Sequence, residues 1–290
     1  MGLLAALLLS SLAAVGALLV VLAEKFEPNP FLGFRVGYAM VSEEAWRKLN
    51  KTSGAALVAL SAALSPLTIL VEDVVAVGVA VLSLVFLTLA LIIHAESIAE
   101  KTLISEPPEP GTPRKIEPLP PPPTYVALEV LAALGTAYYL AANYQNLPPT
   151  LAVHFGPNWE PDTYQPKDTF YPAATLLLLA VHLLTIALMT LGHAKPVIYH
   201  RPWLPRPALR KTTTALYTIL LTVSLLVSYG LIDIIYYNIC REHLPLTGHI
   251  IAAGIAIIAL AVTYTLFTTI KNYKKWKKVI GGQAQSPGTI

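Results

Sequence analysis

A chain of 290 residues that is 55% hydrophobic and 13% charged falls well short of the roughly 25% charged residues of a soluble domain, so lipid is its expected solvent. The net charge of +3 matters less than where the charges sit, and no nucleic-acid partner is expected. The single cysteine, Cys240, excludes an internal disulfide and a Cys-based zinc array.

A membrane-spanning helix needs about 20 predominantly apolar residues. In chain order the qualifying stretches are Leu3–Leu22, Ala55–Val71, Val74–Ile93, Tyr125–Tyr144, Pro172–Gly192, Thr213–Tyr236 and Ile250–Ile270. Each must be helical, because unpaired backbone amides in hydrocarbon are costly. The first lacks a basic n-region and its apolar run is longer than a signal peptide's, so it reads as a retained helix that starts outside. The second is short and contains Pro66, but Glu72 and Asp73 make a tight polar turn into the third. Then comes Pro107–Pro123, in which nine of seventeen residues are proline. Such a run favours extended polyproline II, a semi-rigid spacer. It makes 97–124 a linker between a three-helix unit (1–96) and a four-helix unit (125–271), with a basic tail at 272–290.

Lysine and arginine alternate between connections. The first carries Lys25, Arg35, Arg47, Lys48 and Lys51, the second none, the third Lys101, Arg114 and Lys115, and the fourth only Lys167. The fifth carries Lys195, Arg201, Arg206, Arg210 and Lys211, the sixth only Arg241, and the tail has five lysines from Lys271 to Lys278. By the positive-inside rule the amino terminus is outside and the carboxy terminus inside. The expected fold is all-α: a polytopic membrane protein of seven transmembrane helices, arranged three plus four.

Two inserts are longer than turns require. In the inner one (24–54), Ser42 can cap a helix whose start Glu43 and Glu44 favour. Arg47, Lys48 and Lys51 follow, and Gly54 reads as a stop. Trp46 and Leu49 share a face, so the segment is expected to lie on the membrane surface with Trp46 as anchor. Arg35, between Gly33 and Gly37, can pair with a lipid phosphate, an acid such as Glu43, or a helix end. The outer insert (145–171) is turn-prone around Gly156-Pro157-Asn158 and Pro161-Asp162, and reads as a compact ordered loop. Its polar residues His154, Glu160, Asp162, Lys167 and Asp168 are held between aromatics.

The outer stretch "LPPTLAVHF…EPDTYQPK" resembles the extracellular signature of the SdpI-type immunity and signalling membrane proteins, in order and spacing, at Leu147, Pro148, His154, Phe155, Glu160, Pro161, Asp162, Tyr164 and Lys167. The inner stretch is similar to the other half of that family's pattern, at Asn29, Gly33, Arg35, Ser42, Trp46 and Asn50. The module order is reversed relative to the family's usual one. Trp159 and Thr163 stand where the family tends to have glycine. The resemblance implies a multi-pass protein of a prokaryotic plasma membrane that senses or neutralises an external peptide or small molecule through its outer loop. It also implies signalling to a cytoplasmic protein partner.

His154, Glu160 and Asp162 are weak candidates for a divalent metal, although the expected role of His154 is to pin the loop, and no metal is assigned. Within the spans, Glu129, His182 and Asp233 are ionisable and so are functional candidates. Glu129 and His182 supply the alternative function, a proton- or ion-coupled transporter. His94 and His193, at similar depth, are too slight a pattern to assign haem, and no cofactor is expected. No HExxH, Gly-x-Ser-x-Gly or phosphate-cradling loop occurs, so an enzyme is not expected.

Overall fold

The computed structural model describes residues 3–40, 42–105, 118–199, 201 and 203–283. Its helices are α1 (Leu3–Leu22), α2 (Glu43–Leu64), the single turn α3 (Leu67–Leu70), α4 (Asp73–Ser105), α5 (Pro123–Asn143), α6 (Lys167–Ala194), α7 (Arg206–Cys240) and α8 (Thr247–Gln283). The architecture is all-α apart from one antiparallel hairpin, β1 (Thr150–Phe155) and β2 (Pro161–Pro166), between α5 and α6. Among the described residues, seven helices are long and apolar enough to cross a membrane. They coincide with the seven expected spans, α2 and α3 counting as one.

The inner insert differs from expectation. Gly54 does not stop a helix: α2 runs unbroken to Leu64, and the segment expected to lie on the surface is the first turns of a spanning helix. Gly54 is instead where α2 crosses α1. A Cβ there would come 2.5 Å from the Gly16 carbonyl oxygen, and one on Gly16 would come 2.6 Å from that of Gly54. Small residues let membrane helices approach backbone to backbone, and an isolated pattern cannot tell that use from a helix end. Trp46 is no surface anchor either, being 2% exposed. The start of α2 follows the sequence, with Ser42 Oγ accepting from the Ala45 amide at 3.0 Å. At Pro66, which has no amide hydrogen to donate, the helix ends and α3 completes the span. Asp73 reaches across to the start of α1, accepting from the Leu4 and Ala5 amides at 2.9 and 2.8 Å.

Two apolar cores occupy opposite ends of the bundle. One gathers Trp46, Leu49, Ile92, Met189, Tyr199, Trp203 and Tyr217, with Tyr273 and Trp276 packed against it. This is the basic end. The other, at the hairpin end, gathers Leu140, Leu147, Leu151, Phe170, Leu178, Leu231 and Ile235. Residues 106–117 of the proline linker lie outside the described residues, as do residues 284–290 of the basic tail. The linker's final stretch is packed down: Leu119 is buried in the basic-end core, and its carbonyl accepts from the Tyr217 hydroxyl at 3.0 Å. Lys271–Lys278 belong to α8, which continues to Gln283.

Candidate functional site

The inner motif residues brace one another. Asn29 Oδ1 accepts from the Phe31 and Leu32 amides at 2.9 Å, closing a turn. Gly33 follows at φ +100°, where a Cβ would come 2.6 Å from Asn50 Oδ1 and 2.7 Å from the Trp46 ring. Asn50 accepts from the Phe34 amide at 2.5 Å and donates to the Trp46 carbonyl at 2.9 Å. Arg35 donates to the Pro30 carbonyl, and its own carbonyl accepts from Arg201. Glu43 pairs with Arg47, at 3.1 Å, rather than with Arg35. The pattern Asn29, Gly33, Arg35, Ser42, Trp46, Asn50 therefore encodes how this loop folds onto α2.

The hairpin is seated from below and open above. Asn238 of α7 uses its side-chain amide as a strand would, accepting from the Ala152 amide and donating to the Ala152 carbonyl, both at 2.8 Å. Leu151 is fully buried, and Leu147 sits in the hairpin-end core. Phe155 packs edge-on against Tyr237 and His243, with centroids 4.7 and 4.5 Å away. His243 in turn bonds Asp233 at 2.8 Å and the Trp159 carbonyl at 3.1 Å. Asp233 also accepts from the Leu244 amide and bonds the Thr247 hydroxyl, which makes it the anchor of the α7–α8 turn. Trp159 has φ 63°, a conformation glycine adopts freely and bulky residues rarely do. Its ring lies 5.3 Å from that of His243.

On the upper face His154 Nδ1 meets Asp162 Oδ1 at 2.6 Å, with both side chains about half exposed or more. A register irregularity on either side of His154 sets it opposite Thr163, a bulge of the kind that re-aims a side chain. The His154 bond holds the Asp162 carboxyl below its ordinary value. Glu160 turns to Asn158 at 2.6 Å, and among the described residues no three His, Cys, Asp or Glu side chains group to hold a metal. Tyr164 is 55% exposed. Lys167 lies over the Tyr144 ring, Asp168 accepts from the Tyr144 hydroxyl, and Pro148 is half-buried at the hairpin's entry.

Between the two cores lies a buried polar cluster. His182 of α6 bridges Glu129 of α5 at 2.7 Å and Ser228 of α7 at 2.9 Å. Ser224 donates to the other Glu129 oxygen at 2.5 Å. All four residues are less than 5% exposed. A cavity of about 180 Å³, lined by Pro120, Pro121, Met189 and His193, reaches Glu129 from the basic end. Sequence reasoning named Glu129 and His182 but missed Ser224 and Ser228. Their spacing of four on a helix, one face of an apolar span, is the signal that identifies them. Asn238 and His243 were missed too, since nothing local marks a partner more than eighty residues away.

Seven apolar helices define the class, a multi-pass α-helical membrane protein. Residues 25–95 match the model of the SdpI/YfhL protein family, which supports an SdpI-type assignment. The match contains the whole inner motif and ends before the hairpin. No curated protein and no solved structure matches the chain.

Proposed function

We propose that the protein is a receptor-like, immunity-type module of a prokaryotic plasma membrane, in which the hairpin meets an external peptide or small molecule. The supporting observation is the division of labour within the hairpin. Leu151, Phe155 and Ala152 tie it to the bundle, while His154, Asp162 and Tyr164 stay exposed on a backbone that cannot drift. A pre-organised polar and aromatic surface loses little entropy on binding. By the positive-inside rule this face is external, and the basic end is available to a cytoplasmic protein partner. Cells producing the protein, challenged with a panel of secreted membrane-active peptides, are expected to survive doses that kill control cells. His154→Ala and Asp162→Ala should remove that protection at unchanged membrane levels. Full protection by both variants rejects the reading.

A second reading rests on the Glu129–His182 cluster. Ionisable groups buried in a span are candidates for an ion pathway, and the cavity at Glu129 supplies access from one side. Proton-coupled transport predicts pH-driven flux in proteoliposomes that His182→Leu abolishes. Liposomes that show no flux under any imposed pH gradient count against it.

A further inference from the structure

At the basic end, a cavity of about 440 Å³ opens between the inner loop, the segment before α7, and α7 and α8. Arg35 and Arg201 stand in its wall, and none of the residues lining it is acidic. Burial, reinforced by the neighbouring Arg35 charge, holds the Arg201 guanidinium down at about 10. It remains a cation at neutral pH, so two like charges share a partly desolvated site. Two further donors line the same wall. Trp203 is 3% exposed, and its indole N–H has no hydrogen-bond partner among the described residues. Thr213, 4% exposed, adds a hydroxyl to the same wall. The neighbouring Thr212 and Thr265 donate to carbonyls of their own helices. A buried donor without an acceptor is rare in folded proteins. Here the Trp203 N–H coincides with paired guanidinium groups, an arrangement suited to a phosphate.

The cavity's position identifies the source of that phosphate. Leu216 and Leu266 complete the lining. Leu266 opens onto the outer face of α8, where Leu260 and Phe267 are also more than half exposed. A headgroup in the cavity would therefore have its acyl chains continuous with an apolar helix surface, at the depth where the basic loops meet the bilayer. We infer that this cavity binds the headgroup of an anionic phospholipid, with Arg35, Trp203 and Thr213 as donors to its phosphate. The site is independent of the hairpin reading and would dock the inner loop against lipid of one leaflet.

The test uses the full chain in detergent, titrated with phosphatidylglycerol, phosphatidylcholine or inorganic phosphate, and followed by native mass spectrometry and thermal unfolding. Phosphatidylglycerol is expected to be retained as one lipid per chain and to raise Tm saturably, with the other two far weaker. Arg35→Gln should weaken that binding about tenfold or more, the scale of one charge-assisted hydrogen bond. Because Arg35 also braces its loop, Thr213→Val and Trp203→Phe provide a second measure. Thr213→Val removes a donor at nearly constant shape, Trp203→Phe removes the indole N–H together with part of the ring, and each should weaken binding several-fold. Equal stabilisation by phosphatidylcholine, or unchanged affinity in all three variants, overturns the site. Inorganic phosphate matching phosphatidylglycerol at equal concentration overturns the lipid assignment.

Discussion

Gly33 shows how little freedom the inner motif has. Its φ of +100° and the closeness of Trp46 and Asn50 mean that Gly33→Ala meets both backbone strain and a clash. The strain alone costs about 1–3 kcal/mol, so this variant should show a clearly lowered unfolding temperature in detergent. Asn50 separates the two halves of its own role. Asn50→Asp keeps an acceptor for the Phe34 amide but sets a buried carboxyl against the Trp46 carbonyl, whereas Asn50→Leu loses both bonds. Both variants are expected to unfold below wild type. An Asn50→Leu protein as stable as wild type would show that the loop is held without this side chain.

At the scale of elements, the hairpin and the α5–α6–α7 cluster make separate predictions. Asp162 is held below its ordinary carboxyl value of 3.8 chiefly by His154. Its contribution is complete above that value and disappears only as pH falls through the lowered one. Hydrogen exchange across 150–166 should therefore be unaffected by titration from pH 7 down to about 4 on account of this group, and any protection it gives should disappear below that. Asp162→Asn should flatten the acid step. In the cluster, His182→Leu leaves Glu129 with one oxygen unpartnered in a buried site, a loss of about 1–3 kcal/mol. Glu129→Leu combined with His182→Leu removes both polar groups, so the double variant should be less unstable than the two single losses summed. Strict additivity in denaturation would mean the pair is not coupled. The helices themselves were legible in the sequence because apolar length is a local property. The hairpin was not, since Pro161 and Pro166 break the alternation that marks a strand, and its seat on Asn238 is a tertiary contact. The same holds for Glu129 and His182, visible one by one but joined only across 53 residues of chain. Arg47, Lys48 and Lys51 misled because charges in the first turns of a spanning helix look like loop residues until the bundle fixes its depth.

The whole molecule poses the question of orientation. Its basic end collects the α1–α2 loop, the first turns of α2, the α6–α7 connection and the last turns of α8, and with them most of the chain's lysine and arginine. Among the described residues the hairpin end holds only Lys167 and Arg241 of the lysines and arginines. The positive-inside rule predicts that such a chain sits with its basic end in the cytoplasm, with Asn158 at the hairpin tip outside and Lys275 on α8 inside. The chain provides a clean background for the measurement, because Cys240 is its sole cysteine and is exposed at the hairpin end of α7. In a Cys240→Ser background, Asn158→Cys should react with a membrane-impermeant maleimide on intact cells, and Lys275→Cys only after permeabilisation. The reverse pattern would invert the protein. The lipid cavity would then face the outer leaflet and the hairpin the cytoplasm, so reception of an external peptide would have no surface to act through.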